Sequence, residues 1–307
     1  MRSLPDVTPF TRSDAHALGW TDASLTRAVV RGEIVRVRRG LLATADHVDD
    51  RVRAVAAAAA ISDAVVSHRS ALAIHGLPVI SRPRRPEITV PPNGRGSAVD
   101  AHLHRASLPP EDVVSVDGVA ATSVARSLID VGRSCPLHTA VAAMDAALHR
   151  ELATVDELYA VTVRCWNWPK IRRAHRAMRL ADARAESPLE SVSRLVIRWL
   201  GLPEPEPQVR VLDEFGREIG RLDFYWERFG VFGEADGRSK YDGRDVLTAE
   251  KLRQEELEST GLIGVRWGWT DITRYPRVVK YRIGRAFERG LARDRSGLPR
   301  EWSILRP

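Results

Sequence analysis

The first 45 residues alternate between short amphipathic segments and turn signals, which predicts two helices followed by a hairpin. Residues 11–19 read TRSDAHALG, in which Thr11 is a helix cap and the glycine is a stop signal. Residues 21–32 repeat this scheme, and residues 33–44 then alternate apolar and basic positions around an Arg-Gly turn. This order of elements is typical of a winged helix-turn-helix.

The pattern then predicts a second unit of mixed helices and strands over residues 48–165. Short helices are expected near residues 51–60 and 67–76, and strand-like runs follow them. An Asp-Gly pair between two apolar runs predicts a hairpin. A helix capped by Thr122 and a longer helix led by Pro136 are expected to complete this unit.

Two further segments follow. Residues 166–185 are basic and carry a narrow apolar stripe, which predicts a linking helix. After them the chain predicts a capped helix, several strands to about residue 235, a charged helix near 245–259 and an apolar run at 262–269. The predicted fold class is a multidomain α/β protein. Its domains are a winged helix-turn-helix over 1–47, a mixed α/β domain over 48–165, a basic linker helix over 166–185 and a second α/β domain over 186–307.

The charge of the chain narrows the choice of partner. The formal net charge is +7, and arginine dominates the basic residues. Residues 1–45 contain seven basic side chains (Arg2, Arg12, Arg27, Arg31, Arg36, Arg38, Arg39) and four acidic ones (Asp6, Asp14, Asp22, Glu33), a balance of +3. A basic surface favours a polyanionic partner, although an Arg-rich composition without functional meaning remains the alternative.

The first unit places its basic residues where a DNA reader needs them. Ser24, Arg27 and Arg31 lie off the apolar face of the second helix, where an α-helix enters the major groove. Arg36, Arg38 and Arg39 lie on the hairpin, which can follow the adjoining phosphates or minor groove. These six residues are the predicted DNA-binding set, and double-stranded DNA is the predicted partner. The alternative is a small helical domain with a solvated arginine face.

The cysteine count and the apolar segments exclude several classes of protein. Two cysteines, Cys135 and Cys165, provide neither a disulfide framework nor a zinc quartet. The N-terminus has no long apolar segment of the secretory type, and the apolar run at 54–61 is too short to span a bilayer. We therefore expect a cytoplasmic protein without a membrane partner.

The first half of the chain resembles a known family. The segment TRSDAHALGWTDASLTRAVVRGEIVRVRRGLLAT (11–44) looks like the winged-helix N-terminus of the AbiEi-type antitoxins of type IV toxin–antitoxin systems. SHRSALAIHGLP (67–78) and TSVARSLIDVGR (122–133) resemble that family's following segments. The resemblance implies DNA binding through the wing domain, repression of the protein's own operon and neutralisation of a cognate toxin that resembles a nucleotidyltransferase.

The C-terminal part resembles a different family, the very-short-patch-repair endonucleases of the PD-(D/E)XK superfamily. The matching segments, in the expected order, are SPLESVSRLVIRWLGLPEPEPQ (187–208), RLDFYW (221–226), GVFGEADGRSKY (230–241) and EKLRQEELESTGLIGVRWGW (250–269). This resemblance implies that residues 186–307 form a restriction-endonuclease-like α/β domain.

The same resemblance implies a catalytic set. Asp223 and Glu234 would hold Mg²⁺, and Glu190 would orient a metal-bound water. The pattern expects Glu-x-Lys, but Asp236 stands where the lysine belongs. Lys240, Lys251 or Gln254 are expected to replace it. Otherwise Asp236 adds a third carboxylate to a site that binds metal and cleaves poorly, or the acids simply lie in turns.

Two functions from different classes follow. The leading one is a DNA-binding transcriptional regulator, the antitoxin-type component of a toxin–antitoxin system, with a nuclease-like C-terminal domain. The alternative is a Mg²⁺-dependent DNA endonuclease that is targeted by its own winged helix. Mg²⁺ is expected as a cofactor only if the nuclease-like site is competent.

Overall fold

The computed structural model describes residues 9–59, 61–94, 101–213, 215–236, 253, 256–257, 259–293 and 302–306. The chain divides into two compact units, residues 1–180 and 181–307. The predicted four-way division of the chain stays a prediction.

The N-terminal unit begins with a small helical module closed by a three-stranded sheet. Its elements are β1 (Phe10–Thr11), α1 (Arg12–Ala17), α2 (Asp22–Val30), β2 (Ile34–Arg38) and β3 (Leu41–Thr44). The strands follow the order β1-β3-β2, and both pairs are antiparallel. The predicted sequence of two helices and a hairpin is confirmed.

Reciprocal capping fixes the start of both helices. The side chains of Thr11 and Thr21 each accept a hydrogen bond from a backbone N–H three residues later, and Asp14 and Ser24 return a bond to the cap backbone. A compact apolar core joins the helices to the sheet. Its buried residues are Phe10, Ala15, Leu25, Ala28, Ile34 and Leu42.

A five-stranded mixed sheet follows in the same unit. Its elements are α3 (Asp50–Ala58), β4 (Val65–Val66), α4 (His68–Ile74), β5 (Glu87–Val90), β6 (His102–Arg105), β7 (Val113–Val116) and β8 (Val119–Thr122). The strand order is β6-β5-β4-β8-β7. The hairpin between β7 and β8 is confirmed, and both turn residues, Asp117 and Gly118, have positive φ as a tight hairpin turn requires.

Four helices complete the unit: α5 (Val124–Ser134), α6 (Leu137–His149), α7 (Val155–Arg164) and α8 (Ile171–Leu180). The predicted cap of α5 is off by one residue. Ser123, not Thr122, accepts the hydrogen bond from the Arg126 N–H, while the Thr122 hydroxyl pairs with Ser127 inside the unit.

The basic segment 166–185 contains α8, which packs closely on α5. Ala174 and Ala177 are fully buried. A Cβ placed on Gly132 of α5 would lie 2.9 Å from the Cα of Ala174, so the two helices approach at a position without a side chain. This close packing makes α8 part of the N-terminal unit.

The C-terminal unit has one five-stranded sheet in the described part of the chain. Its elements are α9 (Pro188–Trp199), β9 (Glu206–Asp213), β10 (Glu218–Trp226), β11 (Val231–Ala235), β12 (Ile263–Trp267), α10 (Trp269–Arg274), α11 (Pro276–Ala292) and β13 (Trp302–Leu305). The strand order is β12-β11-β10-β9-β13, with β11 and β12 parallel and the other pairs antiparallel.

The charged helix predicted near 245–259 lies mostly outside the described residues. The apolar run at 262–269 divides into β12 and the start of α10. The mixed α/β class of the chain is confirmed, and the restriction-endonuclease-like layout stays a prediction.

Among the described residues, no helix is both long and apolar enough to cross a bilayer.

Candidate functional site

The predicted DNA-reading face combines α2 with the β2–β3 hairpin. Arg27 is exposed on α2, Arg36 and Arg39 are exposed on the hairpin, and Arg38 is half-buried. None of these four arginines forms an ion pair with a described residue. Their guanidinium groups are therefore open to phosphate oxygens or base edges.

The other two members of the predicted set have partners. Two guanidinium nitrogens of Arg31 contact Glu33, with Nε 3.0 Å from Oε1 and Nη2 3.2 Å from Oε2. The Ser24 Oγ donates to the Thr21 carbonyl at 2.8 Å and accepts the Thr21 N–H at 2.8 Å. The Ser24 hydroxyl is thus used in capping the helix. The sequence pattern alone could not distinguish a serine that caps the helix from one that contacts DNA.

Two of the described acidic side chains of this module, Asp22 and Glu33, lie in ion pairs with arginine. Arg12 pairs with Asp22, and the His16 Nε2 lies 3.3 Å from the same carboxylate. The hydrogen bonds from Thr11, the backbone one first, lower the pKa of Asp14. Asp14 therefore stays ionised, and the exposed Arg27, Arg36 and Arg39 supply positive charge on α2 and the hairpin.

The hairpin is not free-standing. One face of β2 carries Val35 and Val37, both half-buried. Together with Ala56 and Ala57 of α3, these residues line a depression of about 470 Å³. Strand β2 lies beside α3 at this depression, and Arg36 and Arg39 remain exposed.

The predicted catalytic carboxylates converge in the C-terminal unit. β10 pairs Leu222 with Val209 and Phe224 with Pro207, so Asp223 lies beside Gln208 of β9. The Asp223 Oδ2 accepts the Ala235 N–H at 2.8 Å, which joins Asp223 to the end of β11 next to Glu234.

Glu190 joins this cluster from α9. Its Oε2 accepts the Gln208 Nε2–H at 2.7 Å and the Glu186 N–H at 3.0 Å. Glu190 and Glu234 are both buried, at 8% and 6% exposure. Glu190, Glu234 and the half-buried Asp223 thus lie close enough to interact electrostatically, and their catalytic role stays a prediction.

The surroundings of Asp223 disfavour the ionised form of its carboxyl group. Burial raises the pKa of Asp223 from 3.8 to about 7, and the nearby charges of Glu190 and Glu234 act in the same direction. The hydrogen bond from Ala235 and the positive charge of Arg253 oppose this rise in pKa without cancelling it.

Two arginines form ion pairs with the carboxylate of Glu234. The Arg253 Nη2 lies 2.8 Å from Oε1, and the Arg266 Nη2 lies 2.5 Å from Oε2. Mg²⁺ binds through carboxylate oxygens of this kind, but here each oxygen already contacts a guanidinium group. Within the described residues, no three His, Cys, Asp or Glu side chains are placed to hold a metal ion. The described residues as placed therefore do not fit Mg²⁺, and the pairing of Asp223 and Glu234 around an ion stays a prediction.

The lysine position of the expected motif is filled by Asp236. Asp236 is half-buried just beyond β11, and its N–H donates to the Trp267 carbonyl at 2.9 Å. Lys240, Lys251 and Gln254, the expected replacements for the lysine, lie outside the described residues. The described cations of the cluster are Arg253 and Arg266 instead.

The sequence interpretation missed Gln208, Arg253 and Arg266. Arg266 carried a usable signal, because it is the single charged residue in the apolar run at 262–269. A charge inside a buried strand needs a buried partner. The sequence contained no signal for Gln208, because its left-handed backbone (φ of 56°) and its hydrogen bond to Glu190 arise only in the folded sheet.

Comparisons with known proteins bear on the N-terminal module. Residues 9–45 match the model of a family described as "Transcriptional regulator, AbiEi antitoxin". Two uncharacterized proteins of Mycobacterium tuberculosis, MT2308 (strain CDC 1551 / Oshkosh) and Rv2248 (strain ATCC 25618 / H37Rv), are each 30% identical over 174 residues. These matches cover 57% of this chain and 64%, less than two thirds, of each relative.

One solved structure is also similar, the crystal structure of the RV2827C protein from Mycobacterium tuberculosis. It is 15% identical, with 61% of this chain and 75% of that chain covered and a TM-score of 0.37. A likeness at this level defines neither fold nor function. The family match ends at residue 45, so the endonuclease resemblance of residues 187–269 stays a prediction.

Proposed function

We propose that this protein is a DNA-binding transcriptional regulator and the antitoxin-type component of a toxin–antitoxin pair. The observation that carries the proposal is the agreement between the family match over residues 9–45 and the arginine surface of α2 and the hairpin. Arg27 on the helix and Arg36 and Arg39 on the hairpin supply cations at the two places where a winged helix meets a duplex. Such a regulator acts in the cytoplasm, where the chromosome is.

The proposal includes autoregulation and a protein partner. We expect the operator to lie upstream of the protein's own coding sequence and the partner to be a cognate toxin, as in the family that residues 9–45 match. Fluorescence anisotropy of the full chain with a labelled duplex from that upstream region tests the first part. Binding should exceed binding to a scrambled duplex of equal length, and the affinity should fall steeply with salt. Equal affinity for both duplexes at all salt concentrations would contradict sequence-specific regulation.

The acidic cluster of the C-terminal unit does not extend the proposal to DNA cleavage. Metal-assisted cleavage needs carboxylates that are open to the ion, and both Glu234 oxygens contact arginine. Incubation of supercoiled and linear DNA with the protein and Mg²⁺ or Mn²⁺ decides between the two functions. Cleavage that disappears in both Asp223→Ala and Glu234→Ala would favour the endonuclease alternative.

A further inference from the structure

A basic cavity of about 650 Å³ lies beside β6, the edge strand of the five-stranded sheet in the N-terminal unit. Its volume is in the range of cavities that hold small molecules. The walls come from the loop that leads into β5, from β5 and β6, from α4 and from the end of α5. The lining includes four arginines and two histidines against one acidic residue, Glu87. None of these residues belongs to the predicted DNA-binding or catalytic sets.

Two of the four arginines already bind acidic side chains. Glu87 Oε2 accepts the backbone N–H and the Nε–H of Arg69, each at 3.0 Å, and Oε1 accepts the Nη2–H at 2.7 Å. Burial raises the pKa of Glu87, but the hydrogen bonds and charge of Arg69 outweigh burial and lower that pKa below its usual value. Arg82 lies 3.2 Å from Asp50. The one carboxylate of the wall is therefore neutralised.

The other two arginines supply positive charge that has no counterion. Arg84 and Arg85 are exposed, and neither forms an ion pair with another residue that the structure describes. Pro83 and Pro86 flank them, and each proline fixes its own φ and restricts the residue before it. The two cations are thus held beside the cavity on a backbone with little freedom to lose when a ligand binds.

Two histidines of β6 line the same cavity. His102 and His104 are two residues apart, so they lie on one face of the strand. The His104 ring stacks on His68, with 3.5 Å between ring centroids. Its Nε2 is buried without a hydrogen-bond partner in the described part of the chain, and the Glu87 Oε1 is 4.0 Å away. A buried nitrogen without a partner is rare and is typical of functional sites.

The charges of the cavity select an anion over a metal ion. Histidine, glutamate and cysteine side chains are all present in the wall. Within the described residues, however, no three such side chains are placed to hold a metal. Guanidinium groups bind phosphate oxygens through two parallel hydrogen bonds. The cavity is also larger than a bare phosphate requires, so it has room for an organic part of the ligand.

We propose that this cavity binds a phosphorylated small molecule of about the size of a nucleotide. The phosphate oxygens contact Arg84 and Arg85, and the remainder of the ligand lies against the histidines of β6. The inference does not rest on the proposed DNA binding, because it concerns a different set of residues and its main test contains no DNA.

Isothermal titration calorimetry of the full chain in the presence of EDTA tests the proposal. Inorganic pyrophosphate and ADP should each bind at one site per chain, and adenosine, which has no phosphate, should not bind. Arg84→Ala and Arg85→Ala should each weaken binding by about tenfold or more. Arg85→Lys should lose less affinity, because it keeps the charge but not the paired donors.

Arg179→Ala is the matched control, since Arg179 is exposed on α8 in the same unit and does not line the cavity. It should bind pyrophosphate and ADP like the wild type. Arg84 and Arg85 are exposed, so their variants should keep the wild-type circular dichroism spectrum. A wild type that binds neither pyrophosphate nor ADP overturns the proposal, and so does an equal loss in Arg179→Ala.

A titration with a duplex of unrelated sequence distinguishes a small ligand from the DNA backbone as the source of the phosphate. If only the affinity for this duplex falls in Arg84→Ala and Arg85→Ala, the loop contacts DNA and the small-molecule proposal is wrong. Loss of ADP binding with unchanged operator binding supports the proposal. Loss of operator binding in Arg27→Ala with unchanged ADP binding would show that the two sites are separate.

Discussion

Arg266 and Glu234 lie directly opposite each other on the parallel strands β12 and β11, and their side chains form an ion pair with Nη2 2.5 Å from Oε2. The carboxylate is 8% exposed and the guanidinium 26% exposed at the side-chain level, so the pair is largely removed from water. Arg253 binds the other carboxylate oxygen. Glu234 therefore contributes to the cluster as an arginine-bound anion.

This pairing predicts an asymmetric effect of mutation. Arg266→Met leaves one oxygen of a buried carboxylate without its cation and should destabilise the C-terminal unit by roughly 2–4 kcal/mol. Adding Glu234→Gln to that variant removes the uncompensated charge and should recover part of the loss. Thermal and urea unfolding of the two variants measure the difference. A double variant less stable than Arg266→Met would contradict the pairing argument.

The cluster should also be indifferent to divalent cations. Because Glu234 is bound by arginine on both oxygens, addition of Mg²⁺ or Mn²⁺ should leave the melting temperature of the wild type unchanged. A ligand that binds only the folded state raises that temperature, so thermal unfolding detects binding without any assay of cleavage. A concentration-dependent rise that is lost in Asp223→Ala would show that the carboxylates do bind metal.

Asp223 predicts a pH dependence with a definite sign. Its pKa rises from 3.8 to about 7 on folding, mainly through burial. Below pH 3.8 the carboxyl group is protonated in both the folded and the unfolded state, so it does not lower the free energy of unfolding. Between pH 3.8 and 7 the folded state must hold the proton, so stability falls as pH rises, and the full cost applies above pH 7.

Asp223→Asn should remove that cost while retaining an oxygen that accepts the Ala235 N–H. The variant should be more stable than the wild type at pH 8 by roughly 2–4 kcal/mol, with a much smaller difference near pH 4. Asp213→Asn is the control of opposite sign, because hydrogen bonds from Arg217 lower the pKa of Asp213. That control should destabilise at neutral pH. A gain for Asp223→Asn that is equal at both pH values would exclude ionisation as its cause.

The exposed arginines of the winged module predict two kinds of change in DNA binding, one in sequence-specific affinity and one in salt dependence. Arg27→Ala should weaken specific binding by about 1–3 kcal/mol, because α2 carries this side chain toward the base edges. Arg36→Ala should weaken binding to all sequences alike and reduce the salt slope by about one, as expected for a phosphate contact.

Two variants control for the loss of a positive charge. Arg31→Ala should have a smaller effect than Arg27→Ala, since Arg31 is already paired with Glu33. Arg217→Ala lies in the C-terminal unit and is exposed, so it should not change operator affinity. Anisotropy titrations over a range of salt concentrations measure all four. Losses that are the same at all four positions would point to net charge alone.

The contact between α5 and α8 predicts a steric effect. A Cβ on Gly132 would lie 2.9 Å from both the Cα and the Cβ of Ala174, and backbone cannot move aside cheaply. Gly132→Ala should therefore destabilise the N-terminal unit by about 1–3 kcal/mol. Gly284→Ala is the matched helical control, because nothing lies within 4 Å of its Cβ position. This control should be neutral or stabilising by up to about 1 kcal/mol, and chemical unfolding measures both variants.

The sequence by itself determined the local features of this protein. The caps at Thr11 and Thr21, the hairpin with its Arg-Gly turn and the Asp117-Gly118 turn depend on neighbours within a few residues, so their patterns are sufficient. The cationic character of the N-terminal module was also evident, because net charge is independent of folding. The one-residue error at the cap of α5 reflects adjacent Thr122 and Ser123, both of which are acceptable caps.

Only the tertiary structure decided which side chains were already engaged. Ser24 and Arg31 look available in the sequence but bind Thr21 and Glu33, and the carboxylate of Glu234 binds arginines 19 and 32 residues away along the chain. The close approach of α8 to Gly132 likewise appeared only once the helices were packed. Pairing and burial depend on distances between segments far apart in the chain, and a linear pattern does not contain those distances.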